Sequence, residues 1–394
     1  MNEAVEIDYD LLKDYLINNN EMVTLSDTNT TAELRLLDSI TLKRTQMFLI
    51  GENHAAAINT QFEFFFICYL HKYAGVNYIF QECPVSAALF ENRYLETGDT
   101  LILDSLFSQF RGTLAWTKER YEFIKKIRNY NLKQPDNKKL TFVGVDIEHQ
   151  HLTPIRYIAS VSDTAKAPPE ISSDLKQFIA LKDSNWKDST ARTKAVASLY
   201  SKLINYQSLS RQYFSSDFLN VQLVLENMMN ATLVYSNKKN IALRDSCMYA
   251  TFLKIYPALT NARFFGQWGQ YHINQGAIDK VFPLAAWLNN EKSSPVRDKI
   301  CSITILYKDC SKMNPKTFMA ESFSNFDDPK GIFDQMVQNG PAIFKLNNGD
   351  SPFNLHFIPL VSEDRYSEFY GVTTQYYQYY LYIKNSSAEH PLGQ

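Results

Sequence analysis

Apolar residues follow two rhythms along this chain. Met47-Phe48-Leu49-Ile50 is a solid apolar run that stops abruptly at Gly51-Glu52-Asn53-His54. A short run of that kind, closed by a glycine, predicts a strand buried on both faces. The rhythm then changes. Phe62, Phe65, Phe66, Tyr69, Leu70 and Tyr73 recur at helical spacing, and Gly75 supplies a helix stop. Such an aromatic stripe predicts core packing.

The alternation repeats. Val76–Phe80 predicts a second strand, which leads to Gln81-Glu82-Cys83-Pro84. Helical periodicity follows over Ala87–Leu95, Leu101–Phe110 and Trp116–Tyr130, and a polar turn over Asn131–Lys139. Leu140–Val145 predicts a third strand, ending in Asp146-Ile147-Glu148-His149. Ala262–Gly266 predicts a fourth, leading to Gln267-Trp268-Gly269-Gln270-Tyr271-His272, and Ile300–Tyr307 a fifth. Strands that alternate with helices predict an α/β fold with a mostly parallel central sheet flanked by helices.

Between these elements, residues 165–239 carry helical spacing and no strand pattern. They predict a helical insertion that forms a pocket wall or lid. Residues 40–160 and 240–310 form the expected catalytic core. Residues 311–394 carry polar loops and strand-like runs at Ala342–Leu346, Leu355–Leu360 and Tyr376–Lys384, the last as an added or edge strand. The expectation is a single large α/β domain over residues 1–394.

Composition narrows the function classes. A net charge of −2 gives no drive toward nucleic acid or an anionic membrane. Apolar runs fall well short of the roughly 18 residues a spanning helix needs. The acidic first residues, with no apolar segment after them, predict a cytoplasmic protein or a mature form whose leader has been removed. Five cysteines without paired spacing predict free thiols and neither a disulfide framework nor a structural zinc site. The 26 Phe and 24 Tyr imply an aromatic core and aromatic pocket walls, which suit a small-molecule substrate.

The chemistry gathers at the strand ends. In an open α/β sheet, ligands sit outside the carboxyl ends of the strands. The first strand delivers Glu52 and His54, the second Glu82, the third Asp146 with His149 and His151 nearby, and the fourth Gln267 and His272. One glutamate alone reads as a solvated or helix-dipole charge. Two at equivalent strand ends, beside histidines, read as a site. Asp146 is equally an N-cap candidate, His149 and His151 read as surface residues, and Arg244 with Asp245 as a surface pair. No Gly-x-Ser-x-Gly elbow, P-loop or Gly-x-Gly-x-x-Gly is present. Cys83 is a poor nucleophile, because the adjacent Glu82 disfavours its thiolate. Histidine and glutamate remain. They can activate water with a second imidazole polarising a carbonyl, or bind one divalent metal through Glu52, His54, Glu82 and His272.

Gly51-Glu52-Asn53-His54, Glu82 and Gly269-Gln270-Tyr271-His272 resemble the Gly-Glu…His, Glu and Gly-x-x-His motifs of a superfamily of erythromycin-esterase-like, ChaN-like haem-binding and TraB-type proteins. Trp116-Thr117-Lys118-Glu119, Ile127-Arg128-Asn129-Tyr130-Asn131, Phe142-Val143-Gly144-Val145-Asp146 and Arg244-Asp245 with Met248 are similar to the esterase-like branch in order and spacing. Two departures stand out. The branch usually has two residues between Glu and His and a glycine after the His, where this chain has only Asn53 and then Ala55. It also usually has a His-Asn pair where Gly269 and Gln270 stand here. The resemblance implies an ester or lactone hydrolase. In it, His54 is the general base, Glu52 and Glu82 orient it, and His272 stabilises developing charge. Asp146, Arg244, Asp245 and Gln267 would support the substrate pocket. It leaves open whether a metal is needed, and it carries a haem or small-ligand carrier as the non-enzymatic alternative.

Overall fold

The computed structural model describes residues 8–25, 34–183, 189–337, 340–358, 360 and 369–393. Parts of the expected helical insertion and of the C-terminal strand-and-loop region therefore lie outside the described residues.

The strands are β1 (Asn20–Met22), β2 (Met47–Glu52), β3 (Tyr78–Pro84), β4 (Thr141–Asp146), β5 (Phe264–Gly269), β6 (Ile300–Lys308), β7 (Cys310–Met313), β8 (Ala320–Phe323), β9 (Ala342–Lys345) and β10 (Tyr379–Lys384). Eight of them form one sheet in the order β1-β9-β10-β6-β2-β5-β3-β4, and β7 pairs with β8 as a separate hairpin. β2 is parallel to both β5 and β6, and β10 is parallel to β6. β1 with β9 and β9 with β10 are antiparallel. The protein is thus α/β with a mostly parallel sheet.

Contacts divide the chain into two compact units. One comprises Met1–Phe80, Gly112–Thr141 and Tyr256–Gln394, the other Gln81–Arg111 and Phe142–Ile255.

In the first unit, every residue of β2 is buried, as a solid apolar run requires of a central parallel strand. The helix Ile58–Ala74 buries Phe62, Phe65, Phe66 and Tyr69, and Phe66 stacks on Phe265 of β5 at 6.2 Å. Gly75 ends this helix at φ 69°, the left-handed conformation that glycine adopts without penalty. The second unit is mostly helical. Its helices Leu152–Ser160, Pro169–Ala180, Ser189–Asn205 and Phe218–Ser236 bury a core that includes Ile155, Leu175, Phe178, Leu199 and Val221.

Several sequence expectations shift. The fourth strand runs on to Gly269, so Gln267 projects from the strand and not from a loop after it. The second continues to Pro84, so Glu82 likewise lies within it. Among the described residues, Leu355–Leu360 contains no strand. Its start follows a short 3-10 turn over Pro352–Asn354, because Ser351 caps Phe353 N–H and Pro352 withholds a ladder donor. The C-terminal run expected as an added or edge strand is an added strand, and it lies inside the sheet and not at its edge. β10 runs between β6 and β9 and buries Tyr379, Tyr380 and Tyr382. Tyrosine permits this because its hydroxyl can carry a bond out of the core: Tyr379 donates to Leu36 O at 3.0 Å and Tyr382 to Asp334 at 2.6 Å.

Candidate active site

β2 ends in a fixed place. A Cβ on Gly51 would lie 2.5 Å from Ile273 Cγ1 and 3.1 Å from Gln270 Cα. The turn after β5 therefore rests on the backbone of Gly51, and only glycine allows that approach. Glu52 is opposite Gly269 in the β2–β5 register. His272 lies in that same 3-10 turn, buried, edge-on to Trp268 and Tyr271 at ring separations of 6.2 and 5.6 Å.

Glu52 is buried and uses both oxygens. Oε1 accepts a hydrogen bond from His54 Nδ1, and Oε2 accepts from Asn59 Nδ2 at 2.5 Å. Asn59 Nδ2 also donates to Asn53 O at 2.7 Å, which ties down the single residue between Glu52 and His54. The Asn59 carbonyl accepts from the Tyr307 hydroxyl at 2.6 Å. Burial, with the Glu52 charge nearby, holds that hydroxyl well above its usual pKa, so it stays a neutral donor. Tyr307 N–H is bound by Asn325 at 2.7 Å, and Asn325 is bound by Gln270 at 2.9 Å. The chain of contacts therefore runs from His54 to the turn that carries His272. The His54 side chain remains 42% exposed, although its carboxylate partner is buried.

Ala55 follows His54 at φ 67°. The left-handed conformation normally given to glycine is thus kept here by alanine, at a cost of roughly 1 kcal/mol. Ala55 O accepts from Met313 N–H at 3.1 Å and from Glu389 N–H at 3.0 Å.

The second of these bonds comes from the C-terminal tail. Ser387 O accepts from Ala57 N–H at 2.9 Å, and His390 O from Lys118 N–H at 2.8 Å. His390 also bonds Glu119 through its ring at 2.6 Å. The tail is a strap over the loop that carries His54, and it brings in Glu389. Burial pushes the Glu389 carboxyl up to about 8, with Glu52 and Glu119 adding to the rise and the Thr117 hydroxyl opposing it. Glu63, one helical turn from Asn59, is also raised by burial, against the pull of Arg120 at 2.9 Å.

The second unit holds a different group. Arg244, on the helix Ile241–Ile255, donates from Nε to Asp146 Oδ1 at 2.9 Å and from Nη2 to Asp146 Oδ2 at 2.5 Å. The same Nη2 reaches Glu82 Oε1 at 2.8 Å. His149 donates from Nε2 to Asp146 at 2.9 Å and accepts at Nδ1 from the Tyr235 hydroxyl at 2.6 Å. Burial pushes Asp146 upward, but Arg244 and His149 outweigh it and hold the carboxyl below the carboxylate range. Burial likewise works against the Arg244 charge, and Asp146 and Glu82 more than compensate. Beside them, Glu148 is buried and pushed up to about 8, while accepting from Ser86 N–H at 3.0 Å and Ser86 Oγ at 2.5 Å. Asp245 is fully buried on the Arg244 helix, so the expected surface pair is not at the surface. His149 is part-buried, against its expected surface position, whereas His151 is exposed. Gln267 has a buried carbonyl oxygen with no hydrogen-bond partner among the described residues.

Sequence reasoning missed Asn59, Tyr307 and Glu389. Asn59 and Glu63 were legible as two polar residues four apart on an otherwise aromatic helix. Tyr307 and Glu389 carry no local signal, since only long-range packing gives them partners.

These side chains do not suit a divalent cation. Both Glu52 oxygens are committed to His54 and Asn59, and Glu82 is engaged by Arg244. Among the described residues, no three His, Cys, Asp or Glu groups are arranged to hold an ion. Among them, too, no helix is long and apolar enough to cross a membrane.

No protein-family model matches the chain, and no curated protein does. Solved structures do. A Bacillus cereus protein is 16% identical over 98% of this chain and 100% of its own, with a TM-score of 0.69. A succinoglycan biosynthesis protein is 11% identical over 99% and 100%, with a TM-score of 0.66. A histidine variant of the erythromycin esterase EreC, in its open conformation, is 13% identical over 95% and 99%, with a TM-score of 0.67. The chain thus has the fold of an erythromycin esterase, on which its buried Glu52 holds a part-exposed His54 at the end of β2.

Proposed function

We propose that this protein is a hydrolase that cleaves an ester or lactone bond with a water activated by His54. The observation that carries the reading is the Glu52–His54 pair. A buried carboxylate on Nδ1 fixes the tautomer and makes Nε2 the basic atom of a ring that reaches solvent. The hydrolase-like fold supports the same reading.

In this reaction His54 Nε2 takes a proton from water as the water oxygen bonds to the acyl carbon. The tetrahedral species then expels the alkoxy group, which takes the proton from His54. The products are a carboxylic acid and an alcohol. Glu52 steadies the imidazolium while it exists, and Asn59 with Tyr307 keeps Glu52 in place. His272, in the turn packed on Gly51, is assigned the charge that develops on the carbonyl oxygen. No step passes through a metal, so hydrolysis persists in chelator.

The test is a screen of p-nitrophenyl esters and macrolactones with wild type and His54→Ala. Loss of a positioned general base costs about 10²–10⁴-fold in rate. A His54→Ala protein that is folded and cleaves a wild-type substrate at the wild-type rate ends the proposal.

A further inference from the structure

The second unit contains a pocket of about 620 Å³, within the range that holds a small organic molecule. The helices Ser189–Asn205 and Phe218–Ser236 supply most of its wall. Val196, Met228, Met229 and Ala231 give it apolar lining. Methionines suit such a surface because the unbranched thioether adapts to irregular shapes.

The cations Arg192 and Lys194 also line it, with His151 beside them. Arg192 is part-buried, and burial lowers its pKa. Among the described residues it makes no hydrogen bond and no ion pair, and its one electrostatic neighbour, His151, is repelled by it. Arg244 in the same unit shows the ordinary solution, three charged hydrogen bonds to two carboxylates. A guanidinium partly withdrawn from water without a counter-charge favours an anionic partner. The acid that lines this pocket, Glu148, does not neutralise Arg192. Both its oxygens are bonded to Ser86, and its raised pKa keeps the carboxyl protonated and uncharged at neutral pH.

We propose that this pocket binds a small organic anion, a carboxylate or phosphate on a compact apolar body. The anionic group pairs with the Arg192 fork, with Lys194 adding charge at the rim. The apolar body packs on Val196, Met228 and Met229. The inference does not depend on His54 acting as a base.

The full-length protein is titrated calorimetrically with 1-naphthylmethylphosphonate, 1-naphthylacetate, 1-naphthol and 1-naphthylmethylammonium. Both anions are expected to bind at least about tenfold more tightly than the alcohol or the cation, as charge-assisted pairing requires. Arg192→Gln removes that preference, Arg192→Lys keeps most of it, and His54→Ala leaves it intact. Circular dichroism verifies that each variant is folded. Three results overturn the proposal: no binding of either anion by wild type up to about 1 mM, equal binding of the cation, or an unchanged anion preference in folded Arg192→Gln.

Discussion

The histidine–carboxylate pairs Glu52–His54 and Asp146–His149 are built for different work. In the first unit Glu52 holds His54, and its other partner is the neutral amide of Asn59. In the second unit Asp146 holds His149, but the same carboxylate is also clasped by two nitrogens of Arg244. A carboxylate that already faces a guanidinium has little charge left with which to steady an imidazolium. Glu52 has no such competitor: among the described residues no Arg or Lys is hydrogen-bonded to it. The pair suited to moving a proton is the one without the arginine. The arginine pair is suited to fixing buried charge. A motif of His three residues or fewer from a carboxylate does not distinguish the two; the third partner does.

The largest effect should follow from breaking the arginine pair. Arg244→Ala removes the guanidinium that Asp146 and Glu82 share, and denaturant unfolding should show a loss of about 3–5 kcal/mol. A loss below about 1 kcal/mol, the level of a surface pair, would show that the cluster is not a structural one. Next comes turnover. Glu52→Gln should reduce hydrolysis about 10²-fold or more with a small change in stability. Asp146→Asn should do the reverse. The contrast collapses if the two variants behave alike in both assays.

A subtler test uses Glu148, which shares the second unit with the arginine cluster. Its carboxyl titrates near 8 in the fold against about 4.5 unfolded, so the folded state holds the proton more tightly. Its contribution to stability is complete below the unfolded value and is lost as pH rises through about 8. Glu148→Gln keeps an uncharged side chain that still bonds Ser86. It should therefore be more stable than wild type at pH 9, by on the order of 2 kcal/mol in thermal unfolding, with little difference at pH 5. An equal shift at both pH values rules out the titration. The smallest effect concerns the loop that presents His54. Ala55→Gly relieves a left-handed alanine and should stabilise by up to about 1 kcal/mol, since the glycine also loosens the unfolded chain. A clear destabilisation would mean that the Ala55 methyl is needed for packing, because the residue is buried.

The sequence alone determined the alternation of strands and helices and the parallel core. It also showed that Glu52, Glu82 and Asp146 fall at or near strand ends. These follow from local causes: solid apolar runs, helical spacing and glycine stops act within a few residues. The limits of β3 and β5 lie beyond those the apolar pattern predicts: pairing with β2 carries β5 through Gln267, and β3 runs on through Glu82, although the polarity of both side chains argues against a strand. Partners were not legible either. Arg244 finds Asp146 from 98 residues away, Tyr307 finds Asn59 from 248, and Glu389 reaches Ala55 from the far end of the chain. Only the tertiary structure decided which carboxylate is left to a histidine and which is shared with an arginine. The physical reason is that a side chain's charge and basicity depend on what packs around it, and that packing is set by contacts the local sequence pattern does not encode.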